Sequence, residues 1–564
     1  MRRRTLRRWQ YPQVEAGARA LARAAVAVCP SRTTVVQALR LLQRRRAPLL
    51  VVHAHGRVGV VRPEDLRRAR TFGLGRRSVG DVAWWTVSTV SAEASEASVR
   101  RLLLSGAPAV LVRERGGVVG AVEPFRRAPG TASGARALSL AWRLERQLPG
   151  ETLGLLRLVG RLAESCGMRV CVAGGFVRDL LRGAPTQDVD LVVEGDGLLL
   201  ARQLCRELGG SLVIHPAFGT ASIEGWAGGR VDLATARRER YAAPGALPGV
   251  TPAHIEEDLA RRDFTVNAMA LTLNPDAFGS LLDPFGGQRD LRTRRIRILH
   301  PLSFVEDPTR IFRGARYAVR LGLIFERWTR RSLSVALDLG PYPALSGQRL
   351  LAEVELIVSE PGWERALGTL GRLGAFRLLE PSYRFARQAS RRLGDLTELL
   401  RWARERSVGL DPVPLVLLCL VGHLSASLAE RCLRRLALSG EPLARLLAAL
   451  VEGPAVSGRL GAGAALPASR LAAVLRDRSS EALGYVWLVG SPSTRQQIQW
   501  FLDEGRGVRP LLSGEDLLGL GVAKGPVVSE LLHRLRDRRL DGQVSSRDEE
   551  LRLVREWMTP SQTP

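Results

Sequence analysis

The sequence lacks the features that mark secreted, zinc-binding and membrane-spanning chains. Its six cysteines include no CxxC pair, and its seven histidines form no HExxH motif. We therefore expect reduced, buried thiols and neither a disulfide framework nor a zinc site. No apolar run reaches the roughly 18 residues that a membrane-spanning helix needs. The basic start, MRRRTLRRWQYPQ, has no apolar signal core, so the sequence predicts a cytoplasmic protein.

Lysine is almost absent, since Lys524 is the single lysine among 83 basic residues. Against 56 acidic residues they give a formal net charge of +27. Such an excess suits a polyanionic partner, and RNA is the natural candidate. Because heavy use of Arg, Ala, Gly and Leu is also typical of a GC-rich genome, the charge supports RNA binding without establishing it.

One stretch, from Cys171 to Glu194, concentrates residues that suit a nucleoside triphosphate. Residues 170–173 are apolar and precede two glycines, which predicts a buried strand ending in a tight turn. Glycines let backbone N–H groups approach phosphate oxygens, and the N-terminus of a following helix attracts the same anion. Arg178, in the first turn of that helix, could clamp a phosphate with its fork of donors.

Two carboxylates follow in the pattern DxD, at Asp188 and Asp190. In a strand, residues i and i+2 face the same side, so both carboxylates project together and repel each other unless a cation lies between them. Ligand sets made only of oxygen favour Mg²⁺. A DxD pair alone is most often a solvated turn, but its fixed place after the double glycine favours a catalytic site.

The order and spacing of these residues resemble the signature GGxVRDxLxG…DxD of polymerase-beta-like nucleotidyltransferases, in the class that contains tRNA CCA-adding enzymes and bacterial poly(A) polymerases. The matching positions are Gly174, Gly175, Val177, Arg178, Asp179, Leu181, Gly183, Asp188 and Asp190. Two further segments agree with the family. They are EEDLARRDFTVNAMA (256–270), and DPFGG (283–287) leading into FVEDPTRIFRGAR (304–316).

The resemblance implies template-independent addition of nucleotides to an RNA 3′ end. It implies that Asp188 and Asp190 hold Mg²⁺ ions that bridge the triphosphate. Asp232, in the strand-like RVDLATAR, is the candidate third catalytic carboxylate. A salt bridge from Asp232 to Arg230 or Arg237 is the alternative interpretation.

The remaining candidates would bind the nucleotide. Asp307 and Arg310 would read the base edge, because a carboxylate and a guanidinium together present acceptors and donors to a Watson–Crick face. Arg313 and Arg316 continue their spacing of three along a helix that we expect to start at Asp307-Pro308. A solvated basic face is the alternative for this stripe. The full nucleotide-binding set is Gly174, Gly175, Arg178, Arg262, Asp307, Arg310, Arg313 and Arg316.

An internal repeat of about 60 residues precedes the catalytic block. Residues 47–61 correspond to 107–122, and each copy follows a short helical pattern, over 35–45 and 97–104. The pair resembles a tandem CBS module, which implies adenine-nucleotide binding, regulation or dimer formation. The first copy keeps Asp65 but lacks the hydroxyl residue of the CBS pattern, and the second keeps neither. A structural or RNA-positioning role is therefore at least as well supported.

These signals predict an α+β multidomain chain. Its predicted segments are a basic tail (1–16), a tandem CBS α/β module (17–126), a linker (127–150), a mixed α/β nucleotidyltransferase head of polymerase-beta type (151–290), neck helices (291–350), an all-helical body (351–505) and a C-terminal RNA-binding tail (506–564). Within the tail, residues 510–532 predict two helices joined by a glycine turn. Lys524 is the candidate RNA contact there, and an ordinary helical hairpin is the alternative.

Three functions stay open at this stage. The first is a tRNA nucleotidyltransferase that adds CCA, or only its terminal A, to the tRNA 3′ end from ATP, with CTP as a further candidate substrate. The second is a poly(A) polymerase, which shares every block above. The third is an inactive nucleotide-sensing RNA-binding protein, against which the intact Asp188, Asp190 and Arg178 argue. The CBS-like pair and the segment DLVVEGDG (190–197) favour the tRNA nucleotidyltransferase. A homodimer through the CBS-like pair is a further expectation.

Overall fold

The computed structural model of the chain describes residues 18–22, 26–85, 87–104, 106–123, 138–185, 189–226, 229–462 and 466–558. The chain divides into two compact units, Met1–Leu345 and Ser346–Pro564. Asp188, the predicted basic tail and residues 127–137 of the predicted linker lie outside the described residues.

The N-terminal part of the first unit contains two copies of one β-α-β-β pattern. Its elements are α1 (Ala18–Leu21), β1 (Val26–Pro30), α2 (Val35–Arg45), β2 (Leu49–Ala54), β3 (Arg57–Val61), α3 (Pro63–Thr71), β4 (Ser88–Ser91), α4 (Glu96–Leu104), β5 (Val110–Glu114) and β6 (Gly117–Val122). In each copy the first two strands are parallel and the last two antiparallel. The predicted internal repeat is confirmed, and α2 and α4 are its predicted helices.

The two small sheets of the repeat bury apolar side chains against each other. Leu49, Val51 and Val60 of the first copy share a core with Ala109 and Leu111 of the second. Because strand residues alternate between faces, Leu49 and Val51 of β2 point into this shared layer together, opposite Leu111 of β5.

Asp65, the residue kept from the CBS pattern, is buried in the first copy. It accepts a hydrogen bond from Trp84 Nε1 at 3.1 Å. This carboxylate is therefore engaged by an indole of its own copy, which agrees with a structural role for it.

The head follows, built on one seven-stranded sheet. Its elements are α5 (Ala141–Gln147), α6 (Gly150–Ser165), β7 (Arg169–Ala173), α7 (Gly175–Arg182), β8 (Val189–Glu194), α8 (Gly197–Leu208), β9 (Ser211–His215), β10 (Thr220–Trp226), β11 (Gly229–Thr235), β12 (Arg237–Arg240), β13 (Gly249–Pro252), α9 (Ile255–Ala260), β14 (Ala270–Thr272), β15 (Leu281–Leu282), α10 (Gly287–Arg292) and β16 (Arg295–Ile296). The strand order is β15-β14-β7-β8-β11-β10-β9. Only the β8–β11 pair is parallel, so the predicted mixed α/β head is confirmed.

The two faces of this sheet differ in what they carry. On β8, Val189, Leu191 and Val193 enter the main apolar core of the head, with residues of α6, α7 and α8. Asp190 and Val192 alternate with them and therefore lie on the opposite face. On that face Val192 packs against a smaller core near α9, while Asp190 is exposed. The strand period thus directs the carboxylate away from the core.

Helices dominate the rest of the chain. The first unit ends with α11 (Ser303–Glu306), α12 (Thr309–Leu321), β17 (Ile324–Phe325) and α13 (Arg327–Leu339). The second unit contains α14 (Gly347–Val358), α15 (Trp363–Leu373), α16 (Arg387–Glu405), α17 (Pro412–Val421), α18 (Ala426–Arg435), α19 (Gly440–Gly461), α20 (Ala468–Leu475), α21 (Ser480–Val489), α22 (Pro492–Trp500), α23 (Gly514–Gly519), α24 (Pro526–Leu540) and α25 (Arg547–Met558). The predicted boundary at residue 350 lies inside α14. The two helices predicted over 510–532 are confirmed as α23 and α24.

Every helix within the described ranges is too short or too polar to cross a bilayer. The six cysteines are free thiols, and Cys29, Cys171, Cys419 and Cys432 are buried. The prediction that the cysteines lie in the core is therefore confirmed for these four.

Candidate active site

Two carboxylates meet at the centre of the head sheet. Asp190 on β8 is the register partner of Asp232 on β11, and the two strands run parallel. Directly paired residues of neighbouring strands point to the same side of a sheet. Asp190 and Asp232 therefore project together from the face opposite the main core. Sequence reasoning paired Asp190 with Asp188, which lies outside the described residues, and proposed Asp232 separately.

Asp232 is held by two donors. Ser222 Oγ on β10 donates to its Oδ1 at 2.5 Å, and Arg230 Nε donates to the same oxygen at 2.8 Å. The alternative interpretation of Asp232, an ion pair with Arg230, is therefore present in the structure. Arg237 instead lies 3.6 Å from Glu239. Because both bonds end on Oδ1, they fix the orientation of the carboxylate while engaging one of its oxygens.

The chemistry of these two groups suits a hard divalent cation. Carboxylate oxygens on adjacent strands are the ligands that Mg²⁺ uses, in sites that water and substrate phosphates complete. Among the described residues there is no group of three or more His, Cys, Asp or Glu side chains able to hold a metal ion. A cation at Asp190 and Asp232 would therefore take its further ligands from the substrate, from water or from Asp188.

The double-glycine turn lies at the same end of the sheet. Because β7 and β8 are antiparallel, β7 ends where β8 begins. Gly174 follows β7 with φ 79° and ψ −128°, a conformation that side chains rarely adopt, and its N–H donates to the Met269 carbonyl at 3.0 Å. A Cβ at Gly174 would lie 2.6 Å from Arg262 Nη1. The turn therefore brings the tip of Arg262 to the start of α7, which begins at Gly175.

Arg178 is buried in α7. Its Nε and Nη2 donate to the two oxygens of Asp179, at 3.0 and 2.6 Å, and its Nη1 donates to Asn267 Oδ1 at 2.7 Å. The guanidinium is thus fixed within the head by its neighbours. The phosphate contact of Arg178 stays a prediction, because a phosphate would have to reach this buried guanidinium group.

Asp258 on α9 organises the arginines of the second block. It is fully buried and accepts from Arg261 Nη2 at 2.6 Å and from Arg262 Nη2 at 3.2 Å. Burial would lower the pKa of Arg261, but Asp258 and Glu239 outweigh burial and raise it. Asp258 therefore pairs with Arg261 and holds Arg262 in the position that faces Gly174.

Asp263 connects the head to α12. Its Oδ1 accepts from the Phe264 N–H at 2.8 Å and from Asn267 Nδ2 at 3.1 Å, and its Oδ2 lies 2.7 Å from Arg313 Nη2. Burial would raise the pKa of Asp263, but the Arg313 charge and the Asn267 hydrogen bond outweigh it and lower the pKa. Arg313, a predicted nucleotide contact, is therefore paired with a head carboxylate.

Asp307 lies just before α12 and contacts its first residue. The helix begins at Thr309, with Pro308 as its N-cap residue and no side-chain cap hydrogen bond, so the predicted cap at Asp307 with proline as the first helical residue is wrong by one position. Asp307 Oδ1 accepts from the Thr309 N–H at 3.1 Å and from Thr309 Oγ1 at 2.7 Å. The carboxylate is buried, and Thr309 orients it.

Arg310 is buried in the first turn of α12. Its Nη1 donates to Ser303 Oγ at 2.7 Å, and its Nη2 donates to the Arg261 carbonyl at 2.7 Å and to Tyr241 Oη at 3.3 Å. Burial raises the pKa of Tyr241, which therefore stays protonated. The predicted base-reading pair is thus built into a network that joins α11, α12 and the second block.

Two predicted contacts remain, Arg316 on α12 and Lys524 in the second unit. Arg316 lies over the ring of Tyr317, with its guanidinium carbon 5.0 Å from the ring centroid. Lys524 is exposed between α23 and α24, in the second unit.

Sequence reasoning missed Asp258 and Tyr241, and it placed Asn267 in the second family block without giving it a role. Asp258 precedes Arg262 by four residues and Asn267 follows Asp263 by four, and each pair is hydrogen-bonded. Neither pair lies within one α-helix, because α9 ends at Ala260 and a short turn follows at Thr265–Asn267, so the helical spacing rule would not have predicted them securely. Tyr241 carries no such signal, because it reaches Arg310 from a distant segment.

The comparisons with known proteins agree with this geometry. Residues 170–297 match the family model of the poly A polymerase head domain. The A-adding tRNA nucleotidyltransferase of Geobacter sulfurreducens is 36% identical over 420 residues, which cover 73% of this chain and 48% of that protein. The chain therefore spans about half the length of that relative.

A shorter relative is matched over nearly its whole length. The A-adding tRNA nucleotidyltransferase of Halalkalibacterium halodurans is 32% identical over 428 residues, or 74% of this chain and 95% of that protein. A solved structure of a CCA-adding enzyme in an apo form is similar with a TM-score of 0.68 and 31% identity, over 75% of this chain and 99% of the other.

Proposed function

On the premise that this chain belongs to the tRNA nucleotidyltransferase family, we propose that it adds nucleotides to the 3′ end of tRNA without a template, and that its product is the terminal A. The observation that carries the reaction is the pair Asp190–Asp232, in register on one face of the sheet beside the double-glycine turn. The two curated relatives described above are both named A-adding enzymes, which supports the choice of nucleotide.

In this proposal the described residues divide the work. Asp190 and Asp232, with Asp188, would hold Mg²⁺. The bound cation would supply Lewis-acid stabilisation of the triphosphate and lower the pKa of the attacking 3′-hydroxyl. Arg262 and the Gly175 N–H would receive the phosphates, because both lie at the start of α7. Gly174, whose N–H donates to the Met269 carbonyl, would contribute the open turn that lets the phosphates approach.

Base recognition is proposed for Asp307 and Arg310. Thr309 orients the first, while Ser303, Tyr241 and the Arg261 carbonyl orient the second. A recognition pair that is fixed before the nucleotide arrives loses less conformational freedom on binding, which favours discrimination between bases.

The tRNA partner and the remaining assignments stay proposals of the same kind. Arg178, Arg313 and Arg316 would join the nucleotide site on rearrangement of their present contacts, and Lys524 would contact the RNA backbone. We also keep the predicted domain division, the CBS-like nature of the repeat, its use in a homodimer, and a cytoplasmic location as proposals.

Transfer from labelled ATP and CTP, supplied separately and together, tests the function. The acceptors are tRNA transcripts that lack CCA, that end in CC, or that are complete, plus an unstructured RNA. We expect one A on the CC-ended tRNA and nothing on the complete tRNA. Addition of CCA to the shortest transcript would make the chain a full CCA-adding enzyme. Long tails on any RNA would favour a poly(A) polymerase, which shares the head domain.

The carboxylate pair is tested by Asp190→Asn. Because metal binding supplies several kcal/mol of transition-state stabilisation, we expect transfer to fall at least ~100-fold while the melting temperature stays close to the parent value. Glu207→Gln is the matched control, since Glu207 is exposed on α8, against the other face of the sheet. Equal loss in both variants, or full activity in Asp190→Asn, would contradict the assignment.

A further inference from the structure

The short helix α11 connects the N-terminal repeat to the proposed base-reading residues. All four of its residues, Ser303–Glu306, are buried. At its end, Glu306 lies 2.9 Å from Arg68 Nη1, on α3 of the first copy, and 3.1 Å from His300 Nε2. The Glu306 side chain is 6% exposed and that of Arg68 is 40% exposed. A carboxylate this deeply buried needs both partners, because an unpaired buried charge is costly.

The other end of α11 binds Arg310. Ser303 Oγ accepts from Arg310 Nη1 at 2.7 Å, and Glu306 is followed directly in the chain by Asp307. The Glu306 carbonyl also accepts the Gly245 N–H at 3.0 Å, in the segment that follows Tyr241. The single turn of α11 therefore contacts α3 through Glu306 and Arg310 through Ser303. It is also joined directly to Asp307 by the peptide bond after Glu306.

The first copy of the repeat is also anchored on α13. Trp85 stacks on Trp328, with ring centroids 5.2 Å apart and planes at 19°. Arg331 Nη2 donates to Asp81 Oδ1 at 2.7 Å. The Trp85–Trp328 stack and the Arg331–Asp81 ion pair fix the segment that follows α3 on α13, which itself packs against α11. These contacts limit the movement of Arg68 relative to Glu306.

We propose that Arg68 is a positioning residue for nucleotide selection, which acts through Glu306 and α11 on Asp307 and Arg310. In this way the first copy of the repeat limits the movement of the proposed base-reading residues. The kinetic test of this inference rests on the proposed function, whereas hydrogen exchange tests the inference independently of it.

The test compares Arg68→Ala, Arg68→Lys and the control Arg67→Ala in the full-length chain. Arg67 is the neighbouring arginine on α3, and its side chain is exposed. We expect Arg68→Ala to raise the KM for ATP about 3- to 10-fold and to narrow the preference for ATP over CTP, with kcat within about twofold of the parent. Arg68→Lys should restore part of the loss, because an ammonium can still pair with Glu306.

Amide hydrogen exchange over 303–312 is the second measurement. Arg68→Ala should speed exchange there, while exchange in the second unit stays unchanged. In a Glu306→Gln background, Arg68→Ala should have little further effect on either readout, since the two residues act as one pair.

Equal KM values and equal exchange in Arg68→Ala and Arg67→Ala would overturn the proposal. The proposal would also be overturned if Arg68→Ala lowered kcat equally for ATP and CTP and folded more slowly, and if Arg68→Lys recovered neither property. That result would indicate a general packing role for Arg68. If the parent chain transfers no nucleotide, the proposed function fails, and the exchange measurement still decides whether Arg68 orders α11.

Discussion

At the scale of single residues, Gly174 shows how backbone conformation shapes the site. Its φ of 79° and ψ of −128° leave Arg262 Nη1 where a Cβ would make a 2.6 Å contact. We expect Gly174→Ala to lower the free energy of unfolding by about 1–3 kcal/mol and to raise the KM for ATP, because the strained turn displaces Arg262.

Gly183→Ala is the control for this prediction. Gly183 has a positive φ of 69°, and a Cβ there would meet nothing within 4 Å. The control should lose about 1–2 kcal/mol of stability and keep its KM. Thermal melts and steady-state kinetics on both variants decide the matter; a similar rise in KM for both would refute a specific effect on Arg262.

Glu306 predicts a dependence of stability on pH. Burial would raise its pKa, but His300, Arg68 and Arg310 outweigh burial and lower the pKa from 4.5 to about 2. A carboxyl with a lowered pKa in the folded state stabilises fully above its unfolded pKa and loses that contribution as the pH falls through the folded one. The contribution should therefore fade between about pH 5 and pH 2, by on the order of 3 kcal/mol.

Urea unfolding of the parent and of Glu306→Gln across that range measures this loss. The variant should have a flatter dependence of the free energy of unfolding on pH, whereas Glu207→Gln should follow the parent. Parallel curves for the parent and Glu306→Gln would show that the pKa of Glu306 is not lowered by folding.

At the scale of elements, α9 holds the second block in place through one carboxylate. Asp258 is fully buried and binds both Arg261 and Arg262. Asp258→Asn should cost about 3–5 kcal/mol, because removing one partner of a buried ion pair leaves the others uncompensated. It should also weaken ATP binding, since Arg262 loses its anchor.

Denaturant unfolding and equilibrium binding of ATP test both effects. Asp276→Asn is the control, because Asp276 is exposed in a short turn of the same domain. A loss of stability with unchanged ATP affinity would separate the structural role of Asp258 from any role in placing Arg262.

Several strands and helices of the chain were predictable from the sequence. The apolar run over 170–173 became β7, the repeat helices became α2 and α4, and the glycine turn near the end joins α23 to α24. Each of these depends on the period of apolar residues and on Gly or Pro at the ends, which are local properties of the chain.

At the scale of the whole molecule, the formal net charge of +27 predicts that tRNA binding depends strongly on salt. Each neutralised phosphate releases counterions, so the affinity should fall about 10- to 1000-fold between about 50 and 200 mM KCl. Filter binding across this range measures the slope. The affinity for ATP alone should change much less, and a flat slope for tRNA would exclude extensive phosphate contacts.

Spacing and period along consecutive residues were enough to predict the family, the head domain, the repeat and the place of each block. The tertiary fold brings together groups that are distant in the chain. It places Asp190 beside Asp232 through the β8–β11 register. It also brings Arg178 into hydrogen bonds with Asp179 and Asn267, and Arg68 into an ion pair with Glu306. The physical reason is that arginines are abundant along the chain. Packing and burial, which are long-range, select the carboxylate that each one binds.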